Sequence, residues 1–385
     1  MKKLLKIAGY VLTALGGAGA AVAALALTGQ LHTTKLEQLQ AIIEERYIGE
    51  VDVTAMEDSA AAAMVAAIGD RWSGYIAAAD YQDYLDRMNN SYVGVGMTIQ
   101  ALEEGGFEVV RVEPTGPAAE AGVEAGDVIV GVNGMDATTH TASELSAIVK
   151  GKAGTTVDIT FRRGGEERTL TIQRREIQTM VAEGRMLEGN VGLVSIYNFD
   201  SRCHDETIAA IEELLDQGAE KLIFDVRNNP GGYQKELVKI LDYLLPEGPL
   251  FRSEYYTGQV LVDESDADCL EIPMAVLING DSYSAAEFFA AALEEYEAAV
   301  TVGQPTTGKG YFQTAIELND GSAVRLSVGR YTTPNGVSLA DEGGLVPNIQ
   351  VEVDDAAYVA IAAGILDPEE DPQILAALDA LDQMP

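Results

Sequence analysis

Histidine is scarce in this chain, with three residues among 385: His32, His140 and His204. No grouping of His, Cys and Asp has the spacing of a metal site, so neither a metal nor a cofactor is implied. Cysteine is scarcer still. Cys203 and Cys269 lie far apart and show no metal-type spacing; outside the cytoplasm they could pair, and the sequence leaves that open. Positive charge is also short. Twenty-five Lys and Arg face 61 Asp and Glu, giving a formal net charge of −36 and a pI near 4.2. A phosphate backbone would be repelled, so nucleic acid is not expected as a partner.

Apolar residues are plentiful. They make up 47% of the chain, enough for packed cores, and the length suits two to three domains. Lys2, Lys3 and Lys6 precede an uncharged run from Ile7 to Gln30. That run is long enough to cross a hydrocarbon layer, which needs roughly 20 residues. The basic flank would stay inside and the remainder face outward. Residues 1–30 therefore read as a single-pass anchor, or as a signal peptide cleaved at an Ala-rich site such as Ala21-Val-Ala23. No cysteine follows to carry a lipid. Either way the bulk of the chain is expected outside the cytoplasm.

Residues 31–90 read as helical. Leu36, Leu39, Ile42 and Ile43 recur at helical spacing, and an Ala-rich stretch from Thr54 to Ile68 ends at Gly69-Asp70. Trp72, Tyr75, Tyr81 and Tyr84 follow, and packing in a core is the plain expectation for them. From 91 to 175 short alternating runs are separated by glycines, which points to a β-rich module. Gly116-Pro-Ala-Ala-Glu-Ala-Gly122, Gly126-Asp127 and Val132-Asn-Gly134 in this order resemble a PDZ domain of the permuted bacterial type. Such a domain binds a peptide by strand addition and captures its terminal carboxylate in a backbone nest. Tyr92, Val93, Gly94, Val95 and Gly96 are the candidate nest; a plain turn between domains is the alternative. Residues 176–352 alternate apolar strands with amphipathic helices, an α/β pattern. Residues 353–385 are helical and acidic, with a break at Pro368 and Pro372.

The chemistry gathers in that α/β region. Ser284 follows a strand and a Gly-Asp turn and opens a helix. There a nucleophile gains from free N–H groups and the positive end of the helix dipole. An ordinary N-cap is the alternative, and Ser282 rivals it for both roles. No histidine lies in this region to act as base. Lys309, between Gly308 and Gly310, can serve if burial keeps it neutral. If Tyr311–Ile316 is a strand, Gln313 shares a face with Lys309 and can orient its amine. Asp225-Val-Arg227-Asn-Asn-Pro-Gly231-Gly232 is a sharp turn after a buried strand. It suits an oxyanion hole built from the N–H groups of Gly231 or Gly232 together with Ala285. Asp225 and Arg227 read as residues that fix the turn.

Together, in this order and after a PDZ-like module, these elements resemble the carboxyl-terminal processing proteases, the tail-specific serine peptidases of family S41. Gly69-Asp70 with Ser73 and Tyr75, Glu287, and Tyr331-Thr-Thr-Pro-Asn-Gly336 extend the likeness over residues 38–381. The resemblance implies Ser284 as nucleophile, Lys309 as general base and Gln313 as its orienter. It implies a multidomain α/β chain: a crotonase/ClpP-like αββ core with an inserted PDZ domain and helical N- and C-terminal segments. It also implies polypeptide substrates with apolar C-terminal tails, PDZ movement that gates the site, and a homodimer through the helical ends. Ala286, Thr307 and Tyr233 depart from the residues usual in the family, which bears on subsite preference.

Three other readings stand beside this one. Gly303–Lys309 matches a phosphate-binding P-loop except that Gly310 replaces the magnesium-binding Ser or Thr, and a strand rather than a helix is expected next. His204 with Asp205 or Asp200 could form a conventional triad. A membrane-tethered PDZ scaffold with an inactive core is the non-enzymatic alternative.

Overall fold

The computed structural model describes residues 34–102 and 105–384. The expected membrane element at Ile7–Gln30 lies outside the described residues. Among the described residues no helix is long and apolar enough to cross a membrane. The described residues divide into two compact units between Ala67 and Ile68.

The first unit holds α1 (Lys35–Arg46) and α2 (Val53–Ala66). A capping box starts α1: the Thr34 hydroxyl accepts from the Glu37 N–H, and the Glu37 carboxylate accepts from the Thr34 N–H. The apolar stripe read from the sequence stays uncovered, with Leu36, Leu39 and Ile42 all exposed.

The second unit opens with β1 (Gly74–Ile76) and α3 (Ala78–Met88). A β-rich module follows: β2 (Ser91–Gly94), β3 (Met97–Ala101), β4 (Phe107–Val112), α4 (Pro117–Glu120), β5 (Val128–Val132), β6 (Met135–Asp136), α5 (Ala142–Val149), β7 (Thr156–Arg163), β8 (Glu166–Gln173) and β9 (Arg175–Gln178). Strands β3-β4-β5-β7-β8 form its sheet, β6 hooks onto β5, and β2 pairs with β9 apart from them. Asn133 and Gly134 both take positive φ (50° and 77°), which is why two residues suffice to turn β5 into β6. Alternation along β7 sends Val157, Ile159 and Phe161 inward to meet Phe107, Ile129, Leu145 and Ile172. Each such side chain contributes about 1.5–3 kcal/mol on burial.

The rest of the chain builds the α/β part. Its elements are β10 (Ala182–Leu187), β11 (Val191–Ile196), α6 (Cys203–Asp216), β12 (Lys221–Asp225), α7 (Gln234–Leu244), β13 (Gly248–Tyr255), β14 (Val260–Ser265), β15 (Met274–Ile278) and α8 (Ala285–Glu295). Then come β16 (Ala299–Gly303), β17 (Tyr311–Glu317), β18 (Ala323–Thr332), α9 (Leu339–Glu342), β19 (Ile349–Gln350), α10 (Asp355–Ala362) and α11 (Pro372–Leu381). One sheet runs β10-β11-β12-β15-β16-β19, parallel except for the antiparallel edge β10. Both faces are covered, so its middle strands are largely apolar, and β15 is so throughout. On one face α6, α7 and α8 bury Ile211, Leu241, Phe288 and Phe289 against Phe199 and Phe224. On the other, α11 buries Ile374, Ala377 and Leu381 against Ile223, Ala275 and Val302. A second, antiparallel sheet runs β1-β18-β13-β14, with β17 also on β18. Both cysteines are free thiols; Cys203 is buried, which pushes its pKa up.

Candidate active site

Ser284 is delivered by a fully buried strand and a helix buried over all but its last two residues. All five residues of β15 are buried, and so are residues 285–293 of α8. Between them, Asn279 Oδ1 accepts from the N–H of Asn228 (2.9 Å) and of Asp281 (3.1 Å). The Ser282 hydroxyl donates to the Val226 carbonyl (2.7 Å) and accepts from the Asn279 N–H, with no exposure to solvent. Ser282, the sequence's rival nucleophile, therefore pins the turn. Ser284 adopts φ 60° and ψ −122° and lines an open cleft of about 610 Å3. A non-glycine residue held there stores about 1–3 kcal/mol, which the rigid elements on either side enforce.

The turn after β12 packs directly under this elbow. A Cβ on Gly231 would lie 2.7 Å from both the Ala285 nitrogen and Ser284 Cβ, so only glycine fits. The Arg227 guanidinium pairs with Asp225 and with Asp371 (2.7 Å), holding the turn and tying down the start of α11. The buried Asn229 side chain donates to the Ile196 carbonyl and accepts the Gly231 N–H at 2.8 Å. Gly231 thus has no N–H left for an oxyanion, which narrows the sequence reading. The N–H groups of Gly232 and Ala285 have no acceptor among the described residues, and both residues line the cleft.

Lys309 reaches the same cleft from the loop between β16 and β17 and is 8% exposed. A side chain on Gly308 would strike the Gly343–Gly344 backbone at 2.7 Å, so the glycine lets the loop press inward. The ammonium lies over the Trp72 ring at 4.7 Å and the Tyr283 ring at 5.7 Å. Burial lowers its pKa to about 8, and the Arg325 charge adds to the shift, while Glu287 and Asp70 oppose it.

Serine elbow and lysine loop meet at Glu287, which is fully buried. Its Oε1 accepts from the backbone N–H of Ser284 (2.9 Å) and Lys309 (2.7 Å). Its Oε2 accepts from the Gly308 N–H and the Thr306 hydroxyl, each at 2.9 Å. Burial raises the Glu287 pKa, and the four donors work against that rise. Sequence reasoning gave this residue no role, although an acid three positions after a helix-opening serine is a capping-box signal. Tyr331, also buried, donates its hydroxyl to the Lys309 carbonyl, and both Tyr331 and Ser284 line the cleft.

Gln313 lines the cleft, but its amide donates to the Tyr311 carbonyl and the Ser327 hydroxyl, each at 3.0 Å, with no bond to Lys309. Lys309 precedes the strand that starts at Tyr311, so strand alternation does not set the two on one face. Ser327 and Ser73 both donate to Asp70 Oδ2, while Asp70 Oδ1 accepts the Trp72 N–H. Three of the aromatic residues expected in a core are here: the Trp72 ring tilts against Tyr283 at 5.7 Å, and Tyr81 and Tyr84 line the cleft. His204 pairs with Asp205 at 2.7 Å, and neither lines the cleft. The P-loop-like segment leads into β17 rather than a helix. Among the described residues no three His, Cys, Asp or Glu are placed to hold a metal ion.

In the β-rich module, Tyr92, Gly94, Val95 and Gly96 line a second cleft of about 670 Å3 with Met97, Ile99, Arg111 and Lys150. Val93 sits between them on β2, opposite Glu176.

Comparison with known proteins accounts for both regions. Residues 190–351 match Peptidase family S41, and residues 108–163 match the PDZ domain. The chain is 30% identical over 338 residues to the carboxy-terminal processing protease CtpA of Bacillus subtilis (strain 168), covering 86% of this chain and 72% of that protein. It is 28% identical over 337 residues to a protein named as a CtpA-like serine protease in Staphylococcus aureus (strain MSSA476), covering 86% and 67%. The solved structure of a protein classed as an S41 protease from Bacteroides fragilis shares the fold, with a TM-score of 0.55 at 17% identity over 88% of this chain and 91% of that one. On that identity and coverage the chain belongs to peptidase family S41: it is a serine-type carboxy-terminal processing peptidase, an α/β protease core with a PDZ domain.

Proposed function

We propose that this peptidase works through a Ser284–Lys309 dyad, outside the cytoplasm, on tails first taken up by its PDZ domain. The observation that carries the dyad is the shared anchor of the two residues on Glu287 Oε1, beside a lysine whose pKa is drawn down to about 8. The neutral amine turns on its four-carbon stem from the Trp72 shelf to Ser284. It takes the hydroxyl proton as Oγ attacks the substrate carbonyl carbon. The N–H groups of Ala285 and Gly232 receive the oxyanion. Collapse breaks the C–N bond, and the departing amine takes the proton back from Lys309. Water, deprotonated by Lys309, then attacks the acyl carbon; the bond to Ser284 Oγ breaks, Oγ takes the proton back from Lys309, and the acyl group leaves as a carboxylic acid.

Polypeptides are the substrates. The apolar lining around Tyr92–Gly96 supports recognition of an apolar C-terminal tail by strand addition. The basic flank and the 24-residue uncharged run at Ile7–Gln30 support a single-pass anchor, or a secreted form if that run is cleaved. The exposed Leu36, Leu39 and Ile42 of α1 support a homodimer.

A serine-directed fluorophosphonate tests the dyad. Mass spectrometry should find the adduct on Ser284 in the wild type, none in Ser284→Ala, and labelling at least a hundredfold slower in Lys309→Ala. Equal labelling of Lys309→Ala would remove the lysine from the mechanism.

A further inference from the structure

The active-site cleft has an unusual charge balance for so acidic a chain. Its charged lining residues are Arg87, Asp200, Lys309 and Arg325. Asp200 is 1% exposed and engaged by Arg202, so it presents no free carboxylate. The cleft is therefore cationic in a protein with a net charge of −36.

Arg325 stands out within it. It sits on β18, opposite Gly74 of β1 and Ala315 of β17. Other arginines of this protein, such as Arg163, Arg227 and Arg330, are held by carboxylates. The Arg325 guanidinium makes no ion pair or hydrogen bond among the described residues, and its Nε is buried without a partner. Buried donors are nearly always satisfied, and this guanidinium at the cleft wall has no protein acceptor to satisfy it. A guanidinium presents a planar fork that matches a carboxylate with two parallel bonds.

We propose that Arg325 is a substrate-binding residue that receives a carboxylate of the polypeptide in the cleft. The cleft then selects for a negative charge near the cleaved bond. The carboxylate is either the free chain end or an Asp or Glu side chain; both offer the same pair of acceptor oxygens. Arg325 and Lys309 line the same cleft, so a carboxylate held by the one lies on the side of the other. This inference rests on the reading of the cleft as the peptidase site.

The test uses the full-length protein and peptides of one sequence. They carry Glu or Gln at single positions on each side of the cleaved bond, and each is made as the C-terminal acid and the amide. Cleavage efficiency, kcat/KM, is measured above the acid limb of each protein's pH profile, for wild type, Arg325→Gln, Arg325→Lys and Ser284→Ala. Wild type should favour one carboxylate-bearing peptide over its neutral match by about ten- to hundredfold, mainly through KM. Arg325→Gln should bring that ratio to about one, and Arg325→Lys, which keeps the charge but not the fork, should leave part of it. The ratio is taken within one protein, so a general loss of rate cancels. A Glu/Gln preference identifies a side chain, and an acid/amide preference that vanishes in Arg325→Gln identifies the chain end. No preference in wild type, or one that survives in Arg325→Gln and so belongs to the PDZ cleft, overturns the proposal. Cleavage by Ser284→Ala would instead overturn the peptidase-site reading.

Discussion

Ser284 and Lys309, 25 residues apart in sequence, donate their backbone N–H groups to the same oxygen, Glu287 Oε1. One buried carboxylate thus sets the distance between the elbow and the lysine loop. Glu287→Gln leaves only one acceptor oxygen for four donors and turns an NH2 toward two of them. It should cost about 2–4 kcal/mol of stability, since each buried donor left unmade costs about 1–3 kcal/mol. It should also cut kcat at least a hundredfold by loosening the pair. Urea unfolding and peptide kinetics check both; an unchanged midpoint and rate would refute the anchoring role.

Activity should depend on pH through Lys309. Burial lowers its pKa to about 8, and only the neutral amine accepts a proton. The kcat/KM profile should therefore rise through an acid limb near pH 8. Arg325 contributes to the depression, so Arg325→Gln should move the limb to higher pH. A limb that stays in place would show that the lysine is not the titrating base.

The same depression has a cost in stability. The folded protein releases the Lys309 proton near pH 8, whereas the unfolded chain holds it to about 10.5. Between these values the unfolded state binds more protons, so this contribution to stability rises with pH; below pH 8 the cost is fully present. Its size is about 3 kcal/mol. Lys309→Met should be more stable than wild type at pH 7 in urea titrations, with the gap closing towards pH 10.5.

Backbone strain at Ser284 gives a separate prediction. Its φ of 60° with ψ of −122° is a conformation glycine adopts freely and alanine does not. Ser284→Ala and Ser284→Gly should both be inactive. Ser284→Gly should be the more stable of the two by about 1 kcal/mol in denaturant titrations, despite the greater chain entropy of glycine. The reverse order would mean the elbow is not strained.

Much of this arrangement was legible because local sequence enforces it. The wholly apolar β15, the Gly-Asp turn and the Ala-rich α8 announce a strand–turn–helix with serine at its hinge. The Asn133-Gly134 pair likewise announces a hairpin. What was not legible depends on contacts between distant segments. Ser282 and Ser284 look alike in sequence; only the bond from Ser282 to Val226 and the positive φ of Ser284 separate them. Trp72 and Tyr84 read as core residues because a catalytic cleft also wants apolar walls. Edge strand β14 and its partner β13 gave no clear signal, because Val260, Leu261 and Val262 remain exposed and the alternation fails. Strand parity pairs Gln313 with Lys309, and nothing local to Gln313 marks its bond to Ser327, 14 residues on.

The most direct measurement follows cleavage of an unstructured protein with an apolar C-terminus, with EDTA present. It compares wild type, Ser284→Ala, Lys309→Ala and His204→Ala at pH 8.5, just above the value of about 8 for Lys309. A Ser284–Lys309 dyad predicts cleavage by wild type and by His204→Ala at rates within twofold, and none by the other two. Cleavage that survives in Lys309→Ala would contradict it and place the base elsewhere.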